Sequence, residues 1–122
     1  MRLAVGDAAA LAGTFDQPAY DVVLCAGVLM YLRERDAAEA VRAMLARTKG
    51  VLALAGLAHP EMDNARLPAS VPRAADRSLI HNLDAMVERA GGRVLRRRWD
   101  GARQVDGNTV YFVFAAPAGG TA

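Results

Sequence analysis

A continuous apolar run at residues 22–25, Val-Val-Leu-Cys, constrains the fold of this chain more than any other feature. The run lies between Pro18 and Gly27 and contains no polar residue. Strands with one wet face alternate apolar and polar residues, whereas strands of a parallel sheet are buried on both faces and are continuously apolar. The run therefore predicts an inner strand of a parallel sheet whose faces are covered by helices.

The segments around this run alternate between strand and helix patterns. Residues 2–5 predict a short strand that ends at Gly6, and residues 51–57 predict a second buried strand. Between the two buried runs, residues 37–47 are almost all strong helix formers. A crossover of this kind nearly always joins parallel neighbours with a right-handed turn. The sequence therefore predicts that residues 22–25 and 51–57 are parallel neighbours in one sheet.

The helix between these strands carries its own start and stop signals. Asp36 is followed three residues later by Glu39, which is typical of an N-cap with a returning acid. Gly50 is expected to end the helix on its C-terminal side. Three apolar residues share one helix face and are predicted to be buried: Val41, Met44 and Leu45.

A long segment without apolar periodicity follows the second buried strand. Residues 58–75 contain three prolines, Pro60, Pro68 and Pro72, which are expected to break any regular element. Loops of this length inside a compact domain are usually functional or mobile, often as a lid. Asp76 is then expected to cap a helix that continues to Ala90 and ends at the two glycines that follow.

The end of the chain predicts two strands joined without a helix. These are residues 94–99 and 109–115, and the Asp106-Gly107 pair between them is a strong turn signal, so we expect an antiparallel pair. The arginines at 96–98 are the one local cluster of positive charge. Because successive strand residues point to opposite faces, they cannot form one basic patch, which favours a solvated edge strand over a nucleic-acid site.

The composition is that of one small soluble domain. The chain has 122 residues, of which 53% are hydrophobic and 23% charged, with a net charge of +2. A single cysteine, Cys25, excludes an internal disulfide and a multi-cysteine zinc site, and favours a reducing cytoplasm. No apolar stretch is long enough to span a membrane. We expect one domain over residues 1–117, with a flexible tail at 118–122.

Two segments carry a resemblance to a known family. Residues 19–32, AYDVVLCAGVLMYL, resemble the fourth-strand motif of class I S-adenosylmethionine-dependent methyltransferases. Residues 3–11, LAVGDAAAL, resemble that family's third strand, which ends in Gly-Asp-Ala. The resemblance extends from residue 3 to residue 117 and implies an α/β, Rossmann-like sheet that is mostly parallel, with a final antiparallel strand and helices on its faces. The family's glycine-rich loop and the acid that holds the ribose precede this region, so the chain resembles the C-terminal part of such an enzyme.

The resemblance implies S-adenosylmethionine as the cofactor and a small-molecule methyl acceptor. Asp7 would accept a hydrogen bond from the adenine amine, and Ala8 would offer its backbone amide to a ring nitrogen. Three small residues after the fourth strand would lie beside the methionine part of the cofactor: Cys25, Ala26 and Gly27. The alternatives are that Asp7 caps the following turn and that the small residues only let a helix pack on the sheet.

Catalytic candidates follow from the chemistry of methyl transfer. The reaction is an in-line displacement that requires alignment, and it requires a base only when the acceptor must lose a proton. Tyr31 lies where the family often has an aromatic residue or histidine near the methyl group. His59, directly after a buried strand, is a candidate base, although a histidine before proline is usually solvated. His81 is a second candidate base, because it lies in the first turns of its predicted helix and helix starts also face the active-site rim. The alternative is that it lies on the solvent face of that helix. The sequence contains no recognisable metal site.

A different reading is a non-catalytic or complementing subunit. In the family's sheet the first strand lies beside the fourth, so its absence would expose a flat apolar edge at residues 21–25. We expect residues 2–5 to move into this position, or a second molecule to cover it in a homodimer or a complementing complex.

Overall fold

The computed structural model describes residues 3–5, 20–73, 76–100 and 110–117, with only the backbone described for 3–5. Within these residues the chain forms a mixed five-stranded sheet, a small two-stranded hairpin and two α-helices, and is therefore α/β. The strands of the large sheet are β1 (Leu3–Val5), β2 (Tyr20–Cys25), β3 (Thr48–Leu57), β6 (Gly92–Asp100) and β7 (Val110–Pro117). The hairpin consists of β4 (Val71–Pro72) and β5 (Leu79–Ile80), and the helices are α1 (Glu34–Ala46) and α2 (Leu83–Arg89).

The large sheet has the strand order β1-β2-β3-β7-β6. The predicted parallel pairing of β2 with β3 is confirmed, and β7 is antiparallel to β3 as expected. The expectation of a mostly parallel sheet is wrong, because β7 also pairs antiparallel with β6 and these two antiparallel ladders are the longer ones. The physical reason is that β6 and β7 follow one another in the chain without a helix between them, a connection that favours antiparallel neighbours.

The edge of β2 is occupied by the chain itself. Leu3 pairs with Val22 and Val5 pairs with Leu24 in a parallel ladder. This confirms the expectation that residues near the start of the chain lie beside β2. The pairing matters because unsatisfied backbone groups along an apolar strand would cost about 1–3 kcal/mol each.

The start of α1 differs from the sequence prediction. The helix begins at Glu34, with Arg33 in the extended N-cap position, so the predicted N-cap Asp36 lies inside the first turn. Acidic side chains in a first turn interact favourably with the positive end of the helix dipole, which explains why Glu34 extends the helix toward its N-terminus. The predicted core residues of this helix are buried: Val41, Met44 and Leu45.

The helix α1 ends earlier than predicted and leads directly into β3. The Oγ1 atom of Thr48 donates a hydrogen bond of 2.7 Å to the Met44 carbonyl. Gly50, predicted to end the helix, instead lies within β3, beside the point where the β2–β3 register shifts. A Cβ atom at Gly50 would lie 2.5 Å from the Asp21 carbonyl oxygen. Glycine is therefore required here for close approach of two strands.

The second predicted helix is shorter than its sequence pattern suggests. Residues 79–80 form β5, and α2 begins only at Leu83, where Asn82 caps it by accepting the N–H of Ala85 at 2.9 Å. The segment predicted to lack regular structure contains β4 and a 3-10 helix, Asn64–Arg66. The proline-rich loop prediction is therefore wrong for these short elements.

Local hydrogen bonds explain why the helix does not begin at Asp76. The Asp76 carboxylate accepts both the N–H and the hydroxyl of Ser78, and it also binds the Arg73 guanidinium. These contacts hold the pKa of Asp76 well below its usual range, chiefly through the Arg73 hydrogen bond. Arg77 adopts a φ of 65°, which is incompatible with a helix. The aspartate closes a hairpin turn instead of capping a helix.

Both described helices pack on one side of the sheet, which we call the helix face. Its core includes Leu52 and Leu54 of β3 and Tyr111 and Val113 of β7, all fully buried. The opposite side, the open face, is covered by neither helix. There Phe112 and Phe114 stack with ring centroids 6.4 Å apart and are half-buried, and Leu24 of β2 is 39% exposed.

The close approach at Gly50 is testable by substitution. We expect Gly50→Ala to lower the free energy of unfolding by about 1–3 kcal/mol, because the new methyl group must displace backbone rather than a flexible side chain. The exposed neighbour offers a matched control, since Lys49→Ala should change stability by less than about 0.5 kcal/mol. Urea denaturation followed by circular dichroism measures both. Equal stability of the two variants would contradict the close packing of β2 on β3.

Candidate functional site

The carboxyl ends of β2 and β3 lie side by side and define what we call the carboxyl edge, residues 25–27 and 57–59. Cys25 pairs with Leu54 across the two strands, which places the segments that follow at the same end of the sheet. Ligands of open α/β sheets bind beyond this end. The structure therefore places Cys25, Ala26 and Gly27 at the same end of the sheet as the segment that carries His59.

Gly27 gives this edge an accessible backbone. Its φ is 73°, a conformation that residues with a side chain rarely adopt, and a Cβ atom built there would have no atom of the described residues within 4 Å. Cys25 is buried, whereas Ala26 and Gly27 are exposed. A ligand could thus approach the main chain of residues 26 and 27 closely. The two other cofactor candidates, Asp7 and Ala8, lie outside the described residues.

Tyr31 lies at the end of a 3-10 helix, Leu29–Tyr31, that begins two residues after Gly27. Its side chain is 73% exposed, whereas Leu29 in the same turn is fully buried. Met30 packs against a second apolar cluster formed by Leu57, Leu67 and Ile80. The helix is thus anchored by two residues and presents the third, Tyr31, to solvent.

His59 is half-buried and bound to its own loop. Its Nδ1 atom accepts the backbone N–H groups of Glu61 at 3.1 Å and Met62 at 3.2 Å. An Nδ1 that accepts two N–H groups carries no hydrogen, so in the neutral ring the hydrogen is on Nε2. This arrangement stabilises the turn after β3 and occupies the nitrogen that a base would use. Catalysis by His59 stays a prediction from the sequence.

Asn64 is fully buried and joins three backbone segments. Its Nδ2 donates to the carbonyls of Leu57 at 3.0 Å and His81 at 2.8 Å, and its Oδ1 accepts the N–H of His59 at 2.9 Å. Asn64 was not among the residues predicted for the site. An asparagine preceded by an aspartate, in a segment without apolar periodicity, carries no signal that distinguishes a buried amide from an exposed one.

His81 is buried, so its predicted position on a solvent-exposed helix face is wrong. The residue precedes α2 and is only 3% exposed. Its Nε2 lies 2.8 Å from the Leu29 carbonyl and its Nδ1 lies 2.6 Å from the Ser70 hydroxyl. Burial lowers the pKa of His81, while the bond to the Leu29 carbonyl and the charge of Glu34 act in the opposite direction. The neutral ring is therefore favoured.

Glu34 completes this contact between distant parts of the chain. Its Oε1 accepts the Ser70 N–H at 2.8 Å and lies 3.2 Å from the Ser70 hydroxyl oxygen. The segment before β4 is thereby tied to the first turn of α1. Neither Glu34 nor Ser70 was singled out from the sequence, because their contact joins residues 36 positions apart.

A second polar cluster lies on the helix face near β6. Arg97 binds the Asp63 carboxylate through both terminal nitrogens at 2.8–2.9 Å, and its Nε lies 3.8 Å from Asp84. Tyr111 donates a hydrogen bond to Asp84 and stacks on Trp99 with centroids 4.8 Å apart. Burial and the bond to Asp84 raise the pKa of Tyr111 well above its usual range, so the phenol stays protonated.

This cluster corrects part of the prediction for residues 96–98. They do lie on an edge strand and form no single patch, but only Arg96 and Arg98 are exposed. Arg97 is half-buried because it shares the helix face with Trp99, over whose ring its guanidinium lies at 5.1 Å. The alternation of strand residues could have indicated this from the sequence.

Among the described residues, no group of three histidine, cysteine or acidic side chains could hold a metal ion. No helix in that part of the chain is both long and apolar enough to cross a membrane.

Comparisons with known proteins match the chain by structure alone. No model of a protein family matches it, and no curated protein sequence does. Magnesium protoporphyrin IX methyltransferase from Synechocystis PCC 6803, solved with bound S-adenosylhomocysteine, is 15% identical with a TM-score of 0.60. That match covers 83% of this chain and 46% of the other.

Two further solved structures give the same result. A Leishmania major S-adenosylmethionine-dependent methyltransferase is 13% identical, with a TM-score of 0.62 and coverage of 86% of this chain and 42% of that one. A Burkholderia thailandensis 1,6-didemethyltoxoflavin-N1-methyltransferase is also 13% identical, with a TM-score of 0.63 and coverage of 86% and 47%. Over most of its length the chain has the fold of class I methyltransferases, and it spans less than half of these three proteins.

The buried His81 predicts a pH-dependent stability. Because its pKa is lowered by folding, the unfolded chain binds more protons at this residue, so stability rises with pH. The contribution should be complete above the unfolded pKa of about 6.5 and decline as the pH falls below it. We expect urea midpoints at pH 5, 6 and 7 to show this slope, and His81→Gln to reduce it. A His81→Gln variant that keeps the full slope would contradict the assignment.

Proposed function

We propose that the protein takes part in S-adenosylmethionine-dependent methyl transfer to a small-molecule acceptor, and that its carboxyl edge forms part of the cofactor site. The fold supports this proposal, as do structural matches whose solved proteins hold S-adenosylmethionine or S-adenosylhomocysteine. The observation that carries it within the chain is Gly27, whose accessible main chain follows β2 directly.

The residues at this edge fit the methionine part of the cofactor. Ala26 and Gly27 are small and exposed, so their backbone can approach a ligand without obstruction. Cys25 supplies the buried anchor that fixes their position. Asp7 and Ala8 remain the candidates for the adenine contact. The proposal concerns part of a site, because the chain spans less than half of the three compared methyltransferases.

The cofactor would supply an electrophilic methyl group, and the chain would supply alignment. Tyr31 is exposed beside the carboxyl edge and would contact the acceptor. The anchoring of Leu29 and Met30 limits the motion of the turn that carries Tyr31. A Tyr31 ring held in place would also limit the motion of the acceptor that it contacts. This restriction would lower the entropic cost of an in-line displacement.

The assignment of Gly27 is testable with S-adenosylhomocysteine as the probe. We expect calorimetric titration of the full chain to show weak binding, with a dissociation constant above about 100 μM. The reason is that part of the cofactor contacts of a whole methyltransferase is missing. Gly27→Ala should weaken binding several-fold, because its methyl group occupies the path of approach.

Gly91 offers a matched control for this titration. It also has a positive φ, 89°, and no atom in the described part of the chain lies within 4 Å of a built Cβ, but it lies at the C-terminal end of α2. Gly91→Ala therefore carries similar backbone strain and should leave binding unchanged. Equal effects of the two substitutions, or low-micromolar binding by both, would contradict the proposed site.

A second candidate function is that of a complementing subunit. Two observations favour it: the chain spans less than half of the compared enzymes, and the open face presents Leu24, Phe112 and Phe114. In this case a second polypeptide would supply the rest of the domain. The short β1 would then compete with that polypeptide for the edge of β2.

The role of β1 can be tested by substitution at its central residue. Ala4→Pro removes an amide hydrogen and should weaken the pairing of β1 with β2. The exposed edge should then cause association that grows with concentration in light scattering. Ala4→Val keeps the amide and favours a strand, so it should behave like the parent chain. An Ala4→Pro variant that scatters like the parent would show that β1 does not protect this edge.

A further inference from the structure

Three side chains form a continuous hydrogen-bonded path from the interior to the surface. Leu29 and His81 are buried, Ser70 is half-buried, and Glu34 is exposed. The consecutive distances are 2.8 Å from the Leu29 carbonyl to His81 Nε2 and 2.6 Å from His81 Nδ1 to Ser70 Oγ. The last step is 3.2 Å, from Ser70 Oγ to Glu34 Oε1.

The hydrogen positions along this path follow from the donors and acceptors. A carbonyl oxygen only accepts, so His81 Nε2 carries a hydrogen. In the neutral ring, Nδ1 therefore accepts the Ser70 hydroxyl, and Glu34 accepts the Ser70 N–H. In the protonated ring, Nδ1 donates to Ser70 Oγ, whose hydroxyl can turn toward Glu34. A rotation of the Ser70 hydroxyl therefore keeps every polar atom of the path hydrogen-bonded in both charge states of the His81 ring.

We propose that Ser70 and His81 form a proton-accepting pair at the carboxyl edge, with Glu34 as the outlet to solvent, and that the pair serves a protic ligand such as a phenol or an amine. The identity of the ligand as a methyl acceptor rests on the proposed function. The assignment of Ser70 and His81 as a pair rests on their hydrogen-bond distances alone.

The location of the pair supports this assignment. Leu29 follows Gly27 by two residues and belongs to the turn that carries Tyr31, so the His81–Leu29 bond connects the pair to the proposed site. His81 Nδ1 is bonded to a side-chain hydroxyl that can exchange a hydrogen, whereas the Nδ1 of His59 is bonded to two backbone N–H groups of its own loop.

The charged groups around the pair favour one direction of proton movement. Glu34 faces it from α1 and stabilises the protonated ring. On the hairpin, Arg73 and Asp76 bind each other, and on α2 the Asp84 carboxylate accepts the Tyr111 hydroxyl. Among the described residues, Glu34 is thus the charged side chain that is hydrogen-bonded to the pair.

The proton step balances without a further reactant. The ligand's O–H or N–H hydrogen passes to Ser70 Oγ as the Ser70 hydroxyl hydrogen passes to His81 Nδ1. A bound S-adenosylmethionine would supply the methyl group that the ligand's lone pair would accept, and the thioether would leave with the electrons of the former carbon–sulfur bond. The resulting imidazolium then returns its proton through Ser70 and Glu34 to water.

The experiment is a pH titration of the histidine rings in the ¹⁵N-labelled full chain by nuclear magnetic resonance. We expect the neutral His81 ring to carry its hydrogen on Nε2. Glu34→Gln should lower the His81 midpoint by about half a pH unit, since it removes a nearby, partly exposed charge. Glu39→Gln makes the same change at an exposed position on α1 and should leave the midpoint unchanged.

The role of Ser70 is separated by combining substitutions. In a Ser70→Ala background, Glu34→Gln should shift the His81 midpoint less, because the connecting hydroxyl is gone. Ser70→Thr keeps the hydroxyl and should restore the full shift, which also covers the case that Ser70→Ala fails to fold. Two results would overturn the proposed proton-accepting pair. One is a neutral His81 ring with its hydrogen on Nδ1, and the other is an equal shift of the His81 midpoint in Glu34→Gln and Glu39→Gln.

The ligand class is tested in the same samples with 4-nitrophenol as the probe. We expect it to shift the signals of His81 and Ser70, and we expect the His81 shift to be smaller in Ser70→Ala. Shifts confined to residues away from the carboxyl edge would overturn the assignment to a protic ligand. S-adenosylhomocysteine titration distinguishes the two proposals, because Glu34→Gln should leave that binding unchanged. Failure of cofactor binding alone would overturn the proposed function and leave the pair standing.

Discussion

The carboxyl edge depends on one buried amide, that of Asn64. It binds the last carbonyl of β3, the N–H of His59 and the carbonyl of His81, so it fixes two histidine backbones relative to the central strand. Buried polar groups are nearly always hydrogen-bonded, because an unpaired one destabilises the fold. Without the Asn64 amide, these three backbone groups would each lose one hydrogen bond. The long segment between β3 and α2 therefore folds back over the edge, and the environments of His59 and His81 follow from that return.

The strand order of the mixed sheet determines where its parallel carboxyl ends lie. Because β7 inserts between β3 and β6, the parallel carboxyl ends are confined to one half of the sheet, where β1 covers the edge of β2. Both described helices cover the same face, and the stacked Phe112 and Phe114 lie on the other. The chain spans less than half of the compared methyltransferases, and within it the carboxyl edge and the open face lie on parts of the sheet that neither described helix covers.

The two histidines show how far sequence reasoning reached at the site. Both were candidate bases, His59 because it follows a buried strand and His81 because it was expected in the first turns of a helix, whereas His81 precedes the helix and is buried. Their surroundings could not be predicted, because the partners of His81 lie 11 and 52 residues away in the chain. The same limit applies to Arg97, whose ion pair with Asp63 spans 34 residues. Contacts of this range depend on the path of the intervening loop, which apolar periodicity does not describe.

The sequence by itself determined the elements whose signal is local and repeated. The apolar run of β2, the helix formers of α1 and the paired C-terminal strands were predicted because burial on both faces, helical periodicity and a direct connection each restrict the local backbone. Only the tertiary structure decided where Asp76, Gly50 and His81 would act. Asp76 closes a turn, Gly50 admits a neighbouring strand and His81 is buried, because each outcome depends on atoms that the chain brings close only after the sheet has formed.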